Sequence, residues 1–344
     1  GMAWKYMIAK VRDQYPDTIF LLEGLGGKIS VTRDLLNSAN LNWAYSELFQ
    51  NYERGQIENY LPEAIDISSS DGIAVNFAET HDNLRLASRS QVYAGMRTAL
   101  CALFSDRGAY GFANGVEWFA EEKINVHNSP SLNWGASVNQ VDWIRRLNQL
   151  LKTLPEFHGP TETRMIQEKG GNLIVLLRRH IPTGGSLLVV VNLDDENPAT
   201  AVWNSTAAGH KGPHFRDLLN RTEVRVSESD GHHTCRLEPG QVLCLTQNES
   251  HHKLLGQLPA GHSAVSEQLV PLTFAARGTR YLDAYQLLGG DDLDLFAVLE
   301  SVLAAYHDLF VFFEAVDHFV ERALATFHAV VIEVEDDRVI EFSQ

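Results

Sequence analysis

The chain has 344 residues, with 44 acidic against 28 basic side chains and a net charge of −16. So negative a surface argues against nucleic acid or an anionic membrane as the main partner. At 44% hydrophobic and 21% charged, the chain is rich enough in apolar residues for packed cores, in two or three domains of ordinary size. No apolar run approaches the ~20 residues of a membrane span, and no secretory signal is visible, so a cytoplasmic location is expected. Cys101, Cys235 and Cys244 are odd in number and far apart, which predicts buried free thiols rather than a disulfide framework.

Residues 3–14 place Trp4, Met7, Ile8 and Val11 at helical spacing, and Pro16 stops that helix. The apolar run Thr18-Ile19-Phe20-Leu21-Leu22 then reads as a buried strand, ended by Glu23 and the stretch Gly24-Leu25-Gly26-Gly27. Residues 31–39 suit a short helix, 41–49 a second strand and 50–64 a further helix. A third strand is predicted over 72–79, an amphipathic helix over 89–105, a weaker fourth strand over 108–118 and a helix over 138–154. Strand and helix alternate in units of thirty to forty residues, the pattern of a parallel α/β layer. Four such units are too few to close a barrel, which needs about eight strands.

From Glu162 the texture changes to apolar runs punctuated by Gly-Gly and Thr-Gly-Gly, which is the pattern of antiparallel hairpins. The expected domains are an α/β layer over 1–158, a β-sandwich over 159–248, a polar linker over 249–282 and a mainly helical segment over 283–344. The last residues suit a hairpin around Glu335-Asp336-Asp337.

Two stretches carry candidate chemistry. Glu23 stands at the C-terminal end of a buried strand, where a carboxylate is costly unless paired or used; it either caps a neighbouring helix or serves a site. The glycines after it let the backbone approach a ligand, but they lack the spacing of a phosphate loop. His81 and Asp82 end the third strand in the same way, and parallel layers build their sites at that end of their strands. Two carboxylates in one cleft suit proton transfer plus stabilisation of a cationic transition state. Against this stands a surface His–Asp pair contributing ~0–1 kcal/mol. Trp118 and Trp134 either pack or stack on sugar faces. The adjacent pairs His232-His233 and His251-His252 lack the i, i+4 spacing of helical zinc ligands and read as solvated loops, so neither metal nor cofactor is expected. The tail stripe Phe310, Phe312, Phe313 and Phe319 reads as core or interface.

The order Phe-Leu-Leu-Glu-Gly-Leu-Gly-Gly (20–27), Asn-Trp-Ala-Tyr-Ser-Glu-Leu-Phe (42–49), Asn-Phe-Ala-Glu-Thr-His-Asp-Asn-Leu-Arg (76–85) and Tyr-Gly-Phe-Ala-Asn-Gly-Val-Glu-Trp (110–118) resembles the α-amylase superfamily, glycoside hydrolase family 13. The resemblance covers residues 3–248 and implies the distal half, strands five to eight, of a (β/α)8 barrel followed by the antiparallel domain C. It implies Glu23 as general acid/base, Asp82 as transition-state stabiliser and His81 as a sugar contact. Asn83, Arg85, Glu117 and Trp134 would line the substrate site. The implied substrate is an α-glucan or maltooligosaccharide, cleaved or transferred with retention.

The sequence departs from the family in having Thr80, not Asn, before the His. It also has no Gly-Phe-Arg-x-Asp pattern to supply the nucleophile. An incomplete enzyme, inactive alone, is therefore expected, with a non-catalytic glucan-binding or regulatory subunit, or an inactive fragment, as the alternatives. Strands one to four and the nucleophile are expected upstream of residue 1, and the open sheet would be completed by a second copy, by a chain carrying strands one to four, or by the helical tail 283–328 folding over it.

Overall fold

The computed structural model of the chain describes residues 2–256, apart from 71, 108, 126–131 and 169–170, together with 331–335 and 338–343. The helices expected over 283–328, and the linker beyond residue 256, lie outside the described residues. Contacts divide the chain into two units, residues 1–44 with 260–344, and residues 45–259.

In the first unit, helix α1 (Met2–Gln14) ends where Thr18 N bonds back to Tyr15 O at 3.1 Å. Arg12 near its end donates to Thr18 O (3.3 Å), Asn40 O (2.6 Å) and Asn42 Oδ1, and lies 5.2 Å over the Phe20 ring. Three carbonyl-type oxygens on two segments thus converge on one guanidinium and fix the way the chain leaves the helix. Strand β1 is only Leu21–Leu22, shorter than the apolar run that predicts it. It runs parallel to the start of β2 (Trp43–Ser46), with α2 (Ile29–Ser38) between them. Strands β14 (Val331–Glu335) and β15 (Arg338–Ser343) form the antiparallel hairpin expected at the end of the chain.

In the second unit, Ser46 caps a 3-10 turn over Glu47–Gln50. Helix α3 (Arg54–Ser70), strand β3 (Ile73–Phe77), helix α4 (Gln91–Leu103) and strand β4 (Tyr110–Gly111) follow. β3 and β4 are parallel, with Asn76 opposite Tyr110 and Phe77 opposite Gly111. A Cβ at Gly111 would stand 2.8 Å from the Phe77 ring, so only glycine lets the strands close here. β4 is far shorter than the expected 108–118, because Gly115 takes a left-handed conformation (φ 92°) that turns the chain into a 3-10 turn over Val116–Trp118. Ser90 caps α4 by accepting from Tyr93 N at 2.9 Å. α4 is apolar almost all round, and its buried Arg97 donates to Leu48 O and Asn51 O, both at 2.8 Å. α5 (Val141–Thr153) buries Ile144, Leu147, Leu150 and Leu151 at helical spacing, and α6 (Pro155–His158) follows it.

Two antiparallel sheets come next. The larger has the order β10 (Thr222–Arg225), β9 (His214–Asp217), β13 (Val242–Thr246), β7 (Ser186–Asn192), β6 (Leu173–His180), β5 (Thr161–Met165). The smaller has the order β11 (Ser227–Ser229), β12 (His232–Leu237), β8 (Ala199–Asn204). A single helical turn, α7 (Ser205–Ala208), follows β8. β6 and β7 are buried on both faces. Leu173, Val175 and Leu177 share one cluster with Trp203, Phe215 and Leu237, while Ile174, Leu176, Val189 and Val191 share another with Ala99, Leu103, Leu147 and Leu150. Successive residues of a strand point to opposite faces, so one unbroken apolar run serves both cores. All three cysteines are free and buried.

The histidine pairs are not in solvated loops. His232-His233 lies in β12, where the strand period sends the two rings apart. His232 reaches Glu168 Oε1 at 2.6 Å, whereas His233 is fully buried, 5.6 Å from the Trp203 ring and 5.4 Å from that of Phe215. His251 sits on α8 (Glu249–Gly256), so the expected linker opens with a helix. Its ring is buried, with Nε2 3.0 Å from Glu156 Oε1 and Nδ1 2.8 Å from Thr246 Oγ1. Apart from Thr246, these partners lie far away in sequence, which is why neighbouring residues gave no sign of them.

Candidate functional site

In the first unit Glu23 follows directly on β1 and is half-buried. The loop after it closes through Gly27 N to Gly24 O at 3.3 Å, and Gly26 is left-handed at φ 70°. That turn needs glycine at residue 26, and it holds the backbone beside the carboxylate in a tight bend.

In the second unit the chain leaves β3 through buried Ala78, Glu79 and Thr80. Thr80 Oγ1 donates to Asn83 Oδ1 at 2.7 Å, and Asn83 N donates to Thr80 O at 3.4 Å. This closed turn carries His81 and Asp82 at its tip. Asp82 is exposed, His81 is half-buried, and His81 Nε2 lies 3.6 Å from Asp82 Oδ1. Asn83, expected against substrate, gives its side-chain oxygen to the turn. Leu84 next to it is 74% exposed.

Glu79, which sequence reasoning passed over, is the buried anchor of this loop. Its carboxylate accepts from Arg85 Nη1 at 2.5 Å and from Leu86 N at 2.6 Å. Burial pushes its pKa up, and the Arg85 charge works against that rise. An acid six residues before an arginine in one motif was the available signal. Arg85 itself is 1% exposed, and its guanidinium faces inward. Besides Glu79 it donates to Asn114 O and to Glu122 O, the latter at 3.3 Å.

Glu117 is half-buried and accepts from Gly115 N at 2.9 Å. Burial raises its pKa, hydrogen bonds to its carboxylate and the Arg85 charge lower it, and Glu79 adds a smaller upward push. The Trp118 and Trp134 rings lie 5.3 Å apart, tilted by 46°. Asn133 Nδ2 donates to Trp118 O at 2.7 Å and so ties the two aromatic segments together. Trp118 Nε1 is buried without a hydrogen-bond partner. The arrangement offers an exposed carboxylate beside an imidazole, and a separate pair of flat rings. Among the described residues no three His, Cys, Asp or Glu side chains stand close enough to hold a metal ion, and no helix is long and apolar enough to cross a membrane.

The fold is of the α-amylase type, and the resemblance to glycoside hydrolase family 13 stands. The structure superposes on a noncanonic maltogenic α-amylase from Thermotoga neapolitana with a TM-score of 0.54 and 19% identity, over 71% of this chain and 58% of that one. An α-amylase from Lactobacillus plantarum gives a TM-score of 0.50 at 19% identity, over the same shares of the two chains. In sequence the chain is similar to the α-1,4-glucan:maltose-1-phosphate maltosyltransferase of Rhodospirillum rubrum, 24% identical over 203 residues, which is 56% of this chain and 29% of that protein. The enzyme of the same name from Cereibacter sphaeroides is 24% identical over 235 residues, 63% of this chain and 34% of that protein. The chain thus spans about a third of the length of these curated relatives. No protein-family model matches it.

Proposed function

We propose that the chain binds α-1,4-linked glucan or maltooligosaccharide at the loop carrying His81 and Asp82. β1 to β4 correspond to strands five to eight of an α-amylase-type barrel, and the antiparallel sheets to domain C. The observation that carries this reading is the Thr80–Asn83 turn, which presents a His–Asp pair at the C-terminal end of a parallel strand. In parallel α/β layers that is where sites are built. The relatives' names, a maltosyltransferase and amylases, point to the same substrates. Asp82 stabilises positive charge at the sugar ring, and His81, Glu117 and Trp134 contact sugar, while Glu23 on the first unit carries the acid/base role only by resemblance to the family.

The chain holds no counterpart of the family's nucleophile, and losing one such group costs several orders of magnitude in other enzymes. Binding without turnover is therefore assigned to these 344 residues by themselves, and retaining hydrolysis or transfer to a site that also holds a nucleophile strand. The same missing group favours, as a second reading, a non-catalytic glucan-binding subunit. Calorimetric titration with maltoheptaose tests this. Saturable binding is expected, weakened about tenfold or more by Asp82→Asn through loss of a charged hydrogen bond, with no reducing sugar released. No binding would overturn the proposal, and turnover abolished by Glu23→Gln would show that the chain carries its own nucleophile.

A further inference from the structure

Arg85 is nearly fully buried, yet its donors do not stay within its own loop. Two of them go to the carbonyls of Asn114 and Glu122. Those two carbonyls bracket a segment under backbone strain. Within it Phe119 is left-handed (φ 51°, ψ 45°), a conformation that bulky side chains rarely adopt and that persists only where the surroundings over-determine it. Beyond the hydrogen bonds of the 3-10 turn itself, these contacts hold it. Ala120 N bonds to Gly115 O at 2.9 Å, Gln140 bonds to Glu117 O (2.9 Å) and Val116 O (2.7 Å), and the Arg85 guanidinium closes both ends. Gly115 is also the point of closest approach. A Cβ there would stand 2.6 Å from Arg85 Nη2 and 3.1 Å from Leu132 O, two residues before Trp134. The strained segment carries Trp118, whose carbonyl receives Asn133 and whose ring meets that of Trp134.

We infer that Arg85 is a positioning residue. It staples the segment from Asn114 to Glu122 and thereby fixes the Trp118–Trp134 pair to the loop that presents His81 and Asp82, so that ring pair and carboxylate act on one ligand as a rigid set. Glu79 makes this possible, because its carboxylate neutralises a guanidinium that no water reaches. The role in ligand binding rests on the glucan reading above; the staple itself does not.

The test separates the two. Two indoles at this distance and tilt couple and give a bisignate circular-dichroism band, which Trp134→Phe identifies by abolishing it. Arg85→Lys keeps the charge on Glu79 but cannot reach both carbonyls, and it should lose that band while the cooperative unfolding of the protein stays intact. Glu79→Gln keeps the shape of the anchor and should weaken the band less, which provides a readout if Arg85→Lys does not fold. An unchanged band in either folded variant overturns the staple, as does a band lost only in step with unfolding. Where the wild type binds maltoheptaose, Arg85→Lys should weaken that binding although Asp82 is untouched. Where the wild type does not bind it, the glucan reading fails and the band still decides the staple.

Discussion

His210 makes the antiparallel part of the molecule sensitive to acid. The ring is 5% exposed, with its Nε2 3.2 Å from Ser186 Oγ on β7 and its centroid 5.4 Å from that of the Phe215 ring on β9, in a T-shaped contact. Burial first, then the nearby His233 on β12 and Arg179 on β6, push its pKa from 6.5 down to about 4. An unfolded chain restores the ordinary value. Between pH 6.5 and about 4 the unfolded state therefore binds a proton that the folded state refuses, and stability falls as pH falls through that window. At about 1.4 kcal/mol for each pH unit between the two values, the loss is roughly 3 kcal/mol by the bottom of the window. Burial lowers the pKa of His233 as well, so it adds in the same direction. Asp217, raised above its ordinary 3.8 first by burial, acts in the opposite direction. A difference between two proteins cancels such common terms. His210→Phe removes the titrating ring and keeps an aromatic of similar size, and it forfeits only the bond to Ser186, about 1 kcal/mol. Urea unfolding followed at pH 8 and pH 4.5 should show the variant slightly less stable at the higher pH and clearly more stable, relative to wild type, at the lower one. A stability difference that stays constant with pH would refute the assignment of a neutral, buried imidazole.

Gly111→Ala should destabilise the protein by about 1–3 kcal/mol, because its methyl group meets the Phe77 ring across the strand pair; an unchanged thermal midpoint would show that the ring moves freely. Arg178→Met should cost roughly 2–4 kcal/mol, since buried Arg178 donates to Glu156 O (2.9 Å) and Leu103 O (3.2 Å) and lies over the Phe157 ring; denaturant titration measures it. Burial pushes the Glu156 pKa up, but the bond and charge of His251 outweigh it and the pKa ends below the ordinary value. The hold on α8 should therefore be lost as pH falls through the carboxylate range, and Glu156→Ala should speed amide exchange in residues 249–256 at neutral pH. Exchange as slow as in wild type would show that α8 is held otherwise.

Much of this molecule was legible in local sequence. Helix α5 declares its buried face through Ile144, Leu147, Leu150 and Leu151, and the apolar run of β6 declares a strand with no wet side. The strand end at His81 and Asp82 was legible too, although the turn that Thr80 and Asn83 close there was not read from it. What stayed hidden depends on contacts between distant residues. The Arg85 side chain looks like a sugar contact until Asn114 and Glu122 are brought to it by the fold. His233 looks like half of a solvated pair until the register of β12 turns it inward on Trp203. β4 was overestimated because apolar composition does not reveal that Gly115 bends the backbone away from its neighbour.

The walls formed by β6 and β7 have a consequence for how this molecule can be inherited or rebuilt. A layer that shares its wall with the next is not a detachable module. Cutting the gene near residue 158 would leave α4 and α5 facing water with Ala99, Leu103, Leu147 and Leu150, and would strip β6 and β7 of half their cover. Grafting the antiparallel sheets from a distant relative would require matching a surface of interlocking side chains as well as a loop. A substitution at Val189 therefore alters a core that also holds Ala99, on the other side of residue 158.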